Sequence, residues 1–193
     1  MIKKVKLGIL ISGRGSNMQA LMKACQNYGF PAEMACVISN NNKAAGLKVA
    51  EQAGMPTFVV ENKPLDVDKI HEILVQHEVN LVCLAGFMRI LKADFLNKWH
   101  GKVINVHPSL LPSFKGLNAQ EQALKAGVKV TGCTVHYVTS EVDAGAIIAQ
   151  AAVPVLPNDD IHSLSKRILA EEHKCYVEAV RLIAMLSRKL ERP

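Results

Sequence analysis

The sequence predicts an α/β protein with one doubly wound, mostly parallel sheet and helices on both faces. Three observations carry that expectation. Short apolar runs alternate with stretches of helical spacing from the start of the chain. Several of those runs are apolar without alternation, as strands covered on both faces are. The first run also passes directly into a glycine-rich turn, Ser12-Gly-Arg-Gly-Ser-Asn17, that opens a helix.

Met1-Ile-Lys-Lys-Val-Lys looks briefly like a charged leader. The apolar run after it is short, breaks at Ser12-Gly13-Arg14-Gly15 and has no signal-type cleavage site, so it reads as a first strand over Val5 to Ile11. Helical spacing covers Ser16 to about Asn27, strand Met34 to Ser39, helix Lys43 to Ala53 and strand Thr57 to Val60. Asp66 to His77 is helical, with Val67, Ile70, Leu74 and Val75 on one stripe. Leu81 to Ala85 is a strand, Ala93 to Trp99 a short helix, and Lys102 to Val106 a strand.

After Pro108 the pattern changes. Pro108, Pro112 and Gly116 punctuate a loop, and Asn118 to Ala126 reads as helix. Val130 to Val138 and Ala146 to Val153 read as strands joined by a polar segment, 139–145. A final helix places Ile161, Leu164, Ile168, Cys175, Ala179, Ile183 and Leu186 near one face, with Asp159 and Asp160 at its start, where the helix dipole favours acids. Residues 1–193 are expected to form one domain, with a mononucleotide-binding half over about 1–106 and a second half over about 107–193.

Composition narrows the function classes. With 49% apolar residues the chain can bury a substantial core, yet no run approaches the roughly 20 apolar residues of a membrane span. Cys25, Cys36, Cys83, Cys133 and Cys175 are scattered and lack zinc-site spacing, so no metal is expected. Small buried thiols fit a reducing, cytoplasmic setting. The net charge of +6 is dispersed and aromatics are only 5%, which argues against nucleic acid and leaves a small anion as the fitting partner.

Two features carry chemistry. In the glycine turn, Gly13 and Gly15 let the backbone bend and approach a ligand, and free N–H groups at the helix start hold phosphate. Ser16 and Asn17 add side-chain donors, and either could cap the helix. A tight turn without a ligand fits the spacing equally well. Met18 stands where a dinucleotide fingerprint has its third glycine, and no Gly-Lys-Ser/Thr ending follows, so a mononucleotide or sugar phosphate is the better match.

The second feature is Lys102-Val-Ile-Asn-Val-His-Pro108. Strand alternation puts Val103, Asn105 and His107 on one face and Ile104 and Val106 on the other. Pro108 ends the strand, so Asn105 and His107 lie near a carboxyl end, where open α/β sheets bind ligands. An amide can donate to a developing oxyanion, and an imidazole can carry a proton near neutral pH. A carboxylate commonly tunes such a histidine. Glu141 and Asp143 are both candidates, and His136 is either a core polar residue or a support.

Ile11-Ser-Gly-Arg-Gly-Ser-Asn17, Leu84-Ala-Gly-Phe-Met-Arg-Ile-Leu91, Asn105-Val-His-Pro-Ser-Leu-Leu-Pro112, Gly132-Cys-Thr-Val-His136 and Val142-Asp-Ala-Gly145 together resemble the phosphoribosylglycinamide formyltransferases, folate-dependent enzymes of purine synthesis. The likeness runs from about Leu7 to Ala179. It implies a formyltransferase fold with a Rossmann-like first half, and transfer of the formyl group of 10-formyltetrahydrofolate to the glycinamide amine without a metal. It implies Asn105, His107 and Asp143 as the catalytic trio, with Asp143 tuning His107 and His136 in support. Gly13, Gly15, Ser16, Asn17 and Glu172 would hold the ribonucleotide. Met88, Arg89, Ile90 and Leu91, with Asn105 and with Ser140, Glu141, Val142 and Asp143, would form the folate site.

The partners implied are small molecules, with neither nucleic acid nor membrane, for a monomer or weak homodimer. Two positions depart from the family. The segment 61–66 has no arginine where members commonly have one, leaving Lys63, and Leu169 replaces a polar contact. A formyltetrahydrofolate hydrolase shares the motifs, but its relatives carry a further domain that this chain is expected to lack. A non-catalytic phosphate- or nucleotide-binding module would need only the glycine turn.

Overall fold

In a computed structural model, residues 4–61 and 63–190 are described. Met1, Ile2 and Lys3, read above as part of a charged start, and Asn62 of the segment 61–66 lie outside them. The strands are β1 (Val5–Ile11), β2 (Ala32–Ser39), β3 (Thr57–Val59), β4 (Leu81–Leu84), β5 (Val103–His107), β6 (Val130–Tyr137) and β7 (Ile147–Pro154). The helices are α1 (Ser16–Cys25), α2 (Ala45–Gln52), α3 (Val67–Gln76), α4 (Ala93–Lys98), α5 (Ala119–Ala126) and α6 (Ile161–Leu190). Every expected element is present; β1 matches at both ends, and no end differs by more than four residues, because pattern marks burial whereas hydrogen bonds mark ends.

The strands form one sheet in the order β3-β2-β1-β4-β5-β6-β7. The first five are parallel, and β6 runs antiparallel to both β5 and β7. Strand alternation sends Leu7, Ile9 and Ile11 of β1, with Ile104 and Val106 of β5, into a core closed by α1, α2 and α6. Leu10, Val82, Leu84 and Val103 point the other way, into a core closed by α3 and α4. Tyr176 of α6 is fully buried, and its hydroxyl lies 3.0 Å from the Leu84 carbonyl and 3.2 Å from that of Ile104, tying the ends of β4 and β5 together.

Two apolar stripes are narrower than their spacing predicts. On α3, Ile70 and Leu74 are buried while Val75 is exposed. On α6, Leu164, Ile168, Cys175 and Ala179 are buried, but Ile161 and Leu186 at the two ends are exposed, since a helix this long overruns the sheet it packs on. The start of α6 is closed by a reciprocal cap: Asp160 Oδ1 accepts from the Ser163 N–H at 2.7 Å, and the Asp160 N–H donates to Ser163 Oγ at 3.1 Å. Asp159 is taken by Arg167, at 2.7 and 2.9 Å. No described helix is long and apolar enough to cross a membrane.

Candidate active site

The chain reverses direction across the sheet between β1 and β4, and such switch points place a crevice outside the strands' carboxyl ends. The glycine turn leaves β1 there, the segment 85–92 leaves β4, and β5 delivers Asn105 and His107 beside them.

β5 extends to His107, one residue beyond the expected end, because His107 pairs with Thr134 across the antiparallel ladder. The same register sets Asn105 opposite His136, which brings Asn105 Nδ2 to 3.5 Å from His136 Nε2. His107 Nδ1 lies 3.2 Å from Asp143 Oδ2, and His136 Nε2 lies 3.5 Å from Asp143 Oδ1. The second nitrogen of His107, Nε2, is 2.8 Å from the Phe114 carbonyl. Both ring nitrogens of His107 therefore face acceptors, an arrangement that only the doubly protonated ring satisfies in full. His136 is anchored through Nδ1, which lies 2.9 Å from the Tyr137 carbonyl.

The choice between Glu141 and Asp143 is decided by position. The Glu141 side chain is 76% exposed and lies 3.4 Å from Lys115 Nζ, whereas that of Asp143 is 9% exposed and turned onto His107. Burial works to raise the Asp143 carboxyl. The His136 contact, the Gly116 N–H at 2.8 Å and the two facing imidazoles outweigh it and hold the group below its ordinary value. Asp143 adopts φ +50°, unusual for a non-glycine residue. Gly145 follows because a Cβ there would fall 1.7 Å from the Tyr137 carbonyl oxygen.

The loop from Pro108 to Asn118 is pinned by Thr134. Its hydroxyl donates to the Ser109 carbonyl at 2.7 Å and accepts from the Leu111 N–H and the Gln150 amide, each at 2.9 Å. This uses the whole capacity of the hydroxyl and sets the loop that presents the Phe114 carbonyl to His107.

The glycine turn is a cradle of backbone. Gly15, at φ +68°, is the N-cap of α1 and makes no side-chain cap bond, so neither Ser16 nor Asn17 caps the helix; both lie within its first turn. Gly46 of α2 donates to the Gly13 carbonyl at 3.0 Å, and a Cβ on Gly46 would fall 2.7 Å from Ile11 Cδ1. The first turn of α1 carries no acid, so its free N–H groups and the helix dipole face a position suited to a dianion.

Asn17 is buried and donates from Nδ2 to Glu172 Oε2 at 2.8 Å; its Oδ1 has no hydrogen-bond partner. Burial pushes the Glu172 carboxyl above its ordinary value of 4.5, with the Asn17 amide opposing. The folded chain therefore holds this proton more tightly than the unfolded chain. The carboxyl costs little in acid, the penalty grows as pH rises past 4.5, and it is complete once the pH exceeds the raised folded value. Glu172→Gln keeps an acceptor for Asn17. It is expected to raise Tm by about 2–4 °C near pH 8 and to leave it unchanged near pH 4, read by thermal unfolding at the two pH values.

Of the remaining expected residues, Met88 and Ile90 are 73% and 80% exposed beyond β4, while Leu91 packs into the α3–α4 core. Arg89 is half-buried; Ser140, Glu141 and Val142 are exposed in the β6–β7 turn. These two segments flank β5 from its two neighbouring strands. Lys63 is exposed and Leu169 half-buried. A cleft of about 1180 Å³ runs between α1 and α6 and reaches Ser16; Asn105 and His107 do not line it. Among the described residues no cluster of three or more His, Cys, Asp or Glu could hold a metal ion.

The residues missed by sequence are Ser12, whose hydroxyl links three strand ends, Thr134, and the Phe114 carbonyl. Backbone groups leave no mark in a side-chain pattern. The one available signal was Ser12 itself, the first polar residue after the unbroken apolar run Leu7 to Ile11.

A family profile described as formyl transferase matches residues 5–180. The trifunctional purine biosynthetic protein adenosine-3 of Bos taurus is 50% identical over 94% of the chain, which spans only 18% of that relative's length. The phosphoribosylglycinamide formyltransferase of Haemophilus influenzae is 43% identical, with 89% of this chain and 83% of that one covered. The crystal structure of phosphoribosylglycinamide formyltransferase from Anaplasma phagocytophilum superposes with a TM-score of 0.92 at 60% identity, over 95% of this chain and 88% of that one.

Proposed function

The chain belongs to the formyl transferase family, and we propose that it transfers the formyl group of 10-formyltetrahydrofolate to the amine of phosphoribosylglycinamide, a step of purine biosynthesis. The observation that carries this reading is His107 held between the Asp143 carboxylate and the Phe114 carbonyl, beside Asn105 at a strand end.

The amine attacks the formyl carbon, and the carbonyl oxygen becomes an oxyanion. Asn105 Nδ2 donates to it, and the His107 Nε2–H turns to it from the Phe114 carbonyl while Nδ1 stays with Asp143. The intermediate then collapses: the bond from carbon to the folate nitrogen breaks, that nitrogen gains a proton, and the new amide nitrogen loses one. His136 positions Asp143 and Asn105 through its 3.5 Å contacts. Gly13, Gly15, Ser16 and Asn17 receive the phosphate at the start of α1, and Glu172 accepts from the ribonucleotide. Met88, Arg89, Ile90 and Leu91, with residues 140–143, receive the folate. Lys63 takes the place of the family's arginine as a point charge.

We read residues 1–193 as one domain acting in the cytoplasm on small molecules. The trio and the phosphate cradle come from one chain, so a monomer or weak homodimer suffices. A hydrolase reading, with water as acceptor, gives the cradle at α1 no role. The test is an absorbance assay of tetrahydrofolate formation from 10-formyltetrahydrofolate, with and without phosphoribosylglycinamide. Product that needs the ribonucleotide is expected. Equal product without it would assign a hydrolase, and none in either case a binding module.

A further inference from the structure

Ser12 stands where β1, β2 and β4 end together. It lies on the same face of β1 as Leu10, the face that β5 continues with Asn105 and His107. Regular pairing of β1 with β4 stops at Leu10 and Leu84. Beyond it, the Ser12 N–H donates to the Gly86 carbonyl at 3.2 Å, and Gly86 turns the chain away at φ +74°. The Met88 N–H then has no strand carbonyl to meet; it donates instead to Ser12 Oγ at 2.7 Å.

The hydroxyl hydrogen goes to Asn40 Oδ1, 2.5 Å away at the end of β2, and Asn41 Nδ2 donates to the Ser12 carbonyl at 3.3 Å. One small side chain thus accepts from the first residue of the segment 88–91 and donates to the neighbouring strand end. Its own backbone runs straight into the glycine turn.

Building on the formyl-transfer reading, we propose that Ser12 is a positioning residue that sets the folate-facing backbone at Met88 relative to the ribonucleotide-facing turn at Gly13 to Asn17. The turn has an anchor of its own, the Gly46 N–H on the Gly13 carbonyl. Met88 is exposed, and its N–H is fixed by the Ser12 hydroxyl. Removing that hydroxyl frees the folate side and leaves the phosphate side in place.

The experiment measures dissociation constants of the full chain for tetrahydrofolate and, separately, for phosphoribosylglycinamide by calorimetry. Neither ligand alone can react. Ser12→Ala is expected to weaken tetrahydrofolate about tenfold, one charge-free hydrogen bond with its partner left unpaired, and to change the ribonucleotide less than about twofold. Ser12→Thr, which keeps the hydroxyl, is expected to restore folate binding. In parallel, amide hydrogen exchange at Met88 should quicken about tenfold in Ser12→Ala, with Gly46 unchanged. An unchanged folate constant, or equal weakening of both ligands, overturns the proposal. Wild-type chain that binds neither ligand overturns the formyl-transfer reading instead. Met88 exchange that does not quicken removes the structural premise whatever the ligands do.

Discussion

Asn105→Ala and His107→Ala are each expected to lower kcat about a hundred- to a thousandfold, the usual cost of losing one oxyanion donor. The two substitutions differ in what else they disturb. Asn105 is half-buried and has only a 3.5 Å contact with His136, long for a hydrogen bond, so its loss should leave Tm almost unchanged. His107 is buried between two acceptors; its removal strips the Phe114 carbonyl of its donor and Asp143 of one of two imidazoles, so Tm should fall as well.

Comparing the pair therefore separates chemistry from folding: kcat collapses in both, Tm in one. Donors that act only on the transition state lower kcat and kcat/KM by the same factor. Steady-state kinetics with both substrates varied, alongside thermal unfolding, reads all of this. Turnover within about fivefold of wild type for Asn105→Ala would show that the oxyanion is held elsewhere.

Much of this site was legible in the sequence. Strand alternation alone put Asn105 and His107 on one face beside a terminating proline, and the ladder bears that out. The same alternation failed to choose between Glu141 and Asp143, because the choice depends on a turn. Asp143 reaches His107 through a left-handed backbone and a glycine two residues on, and neither is a periodic signal. The resemblance made the choice, and Lys115 beside Glu141 gives its physical complement.

The antiparallel β6 likewise follows from pairing rather than pattern, yet it is what carries His136 to Asn105. The apolar stripes of α3 and α6 run on in the sequence to Val75, Ile161 and Leu186, which the fold leaves exposed, since periodicity reports a face and not how far the neighbouring layer extends. Ser12, Tyr176 and the Phe114 carbonyl act by joining segments distant in the chain, which no local window contains.

Gly145→Ala tests whether the β6–β7 turn belongs to the chemistry. The added methyl would fall 1.7 Å from the Tyr137 carbonyl oxygen and 2.7 Å from its carbon, so backbone must move. That oxygen is the anchor of His136 Nδ1, and the Tyr137 N–H is bonded to the Ala146 carbonyl at 2.9 Å. The displacement is thus delivered at once to His136 and, two residues upstream of Gly145, to Asp143.

A shift near 1 Å in a positioning group can cost about a hundredfold in rate. We expect kcat to fall by about that factor with the parallel half of the sheet intact, and Tm to fall by several degrees, about 2–4 °C for each kcal/mol of strain. The clash lies outside the α1 cradle, so ribonucleotide affinity measured by calorimetry should stay within about twofold of wild type. Near-normal kcat in a chain whose Tm has fallen would mean that the turn holds the fold together but does not hold Asp143 to its task.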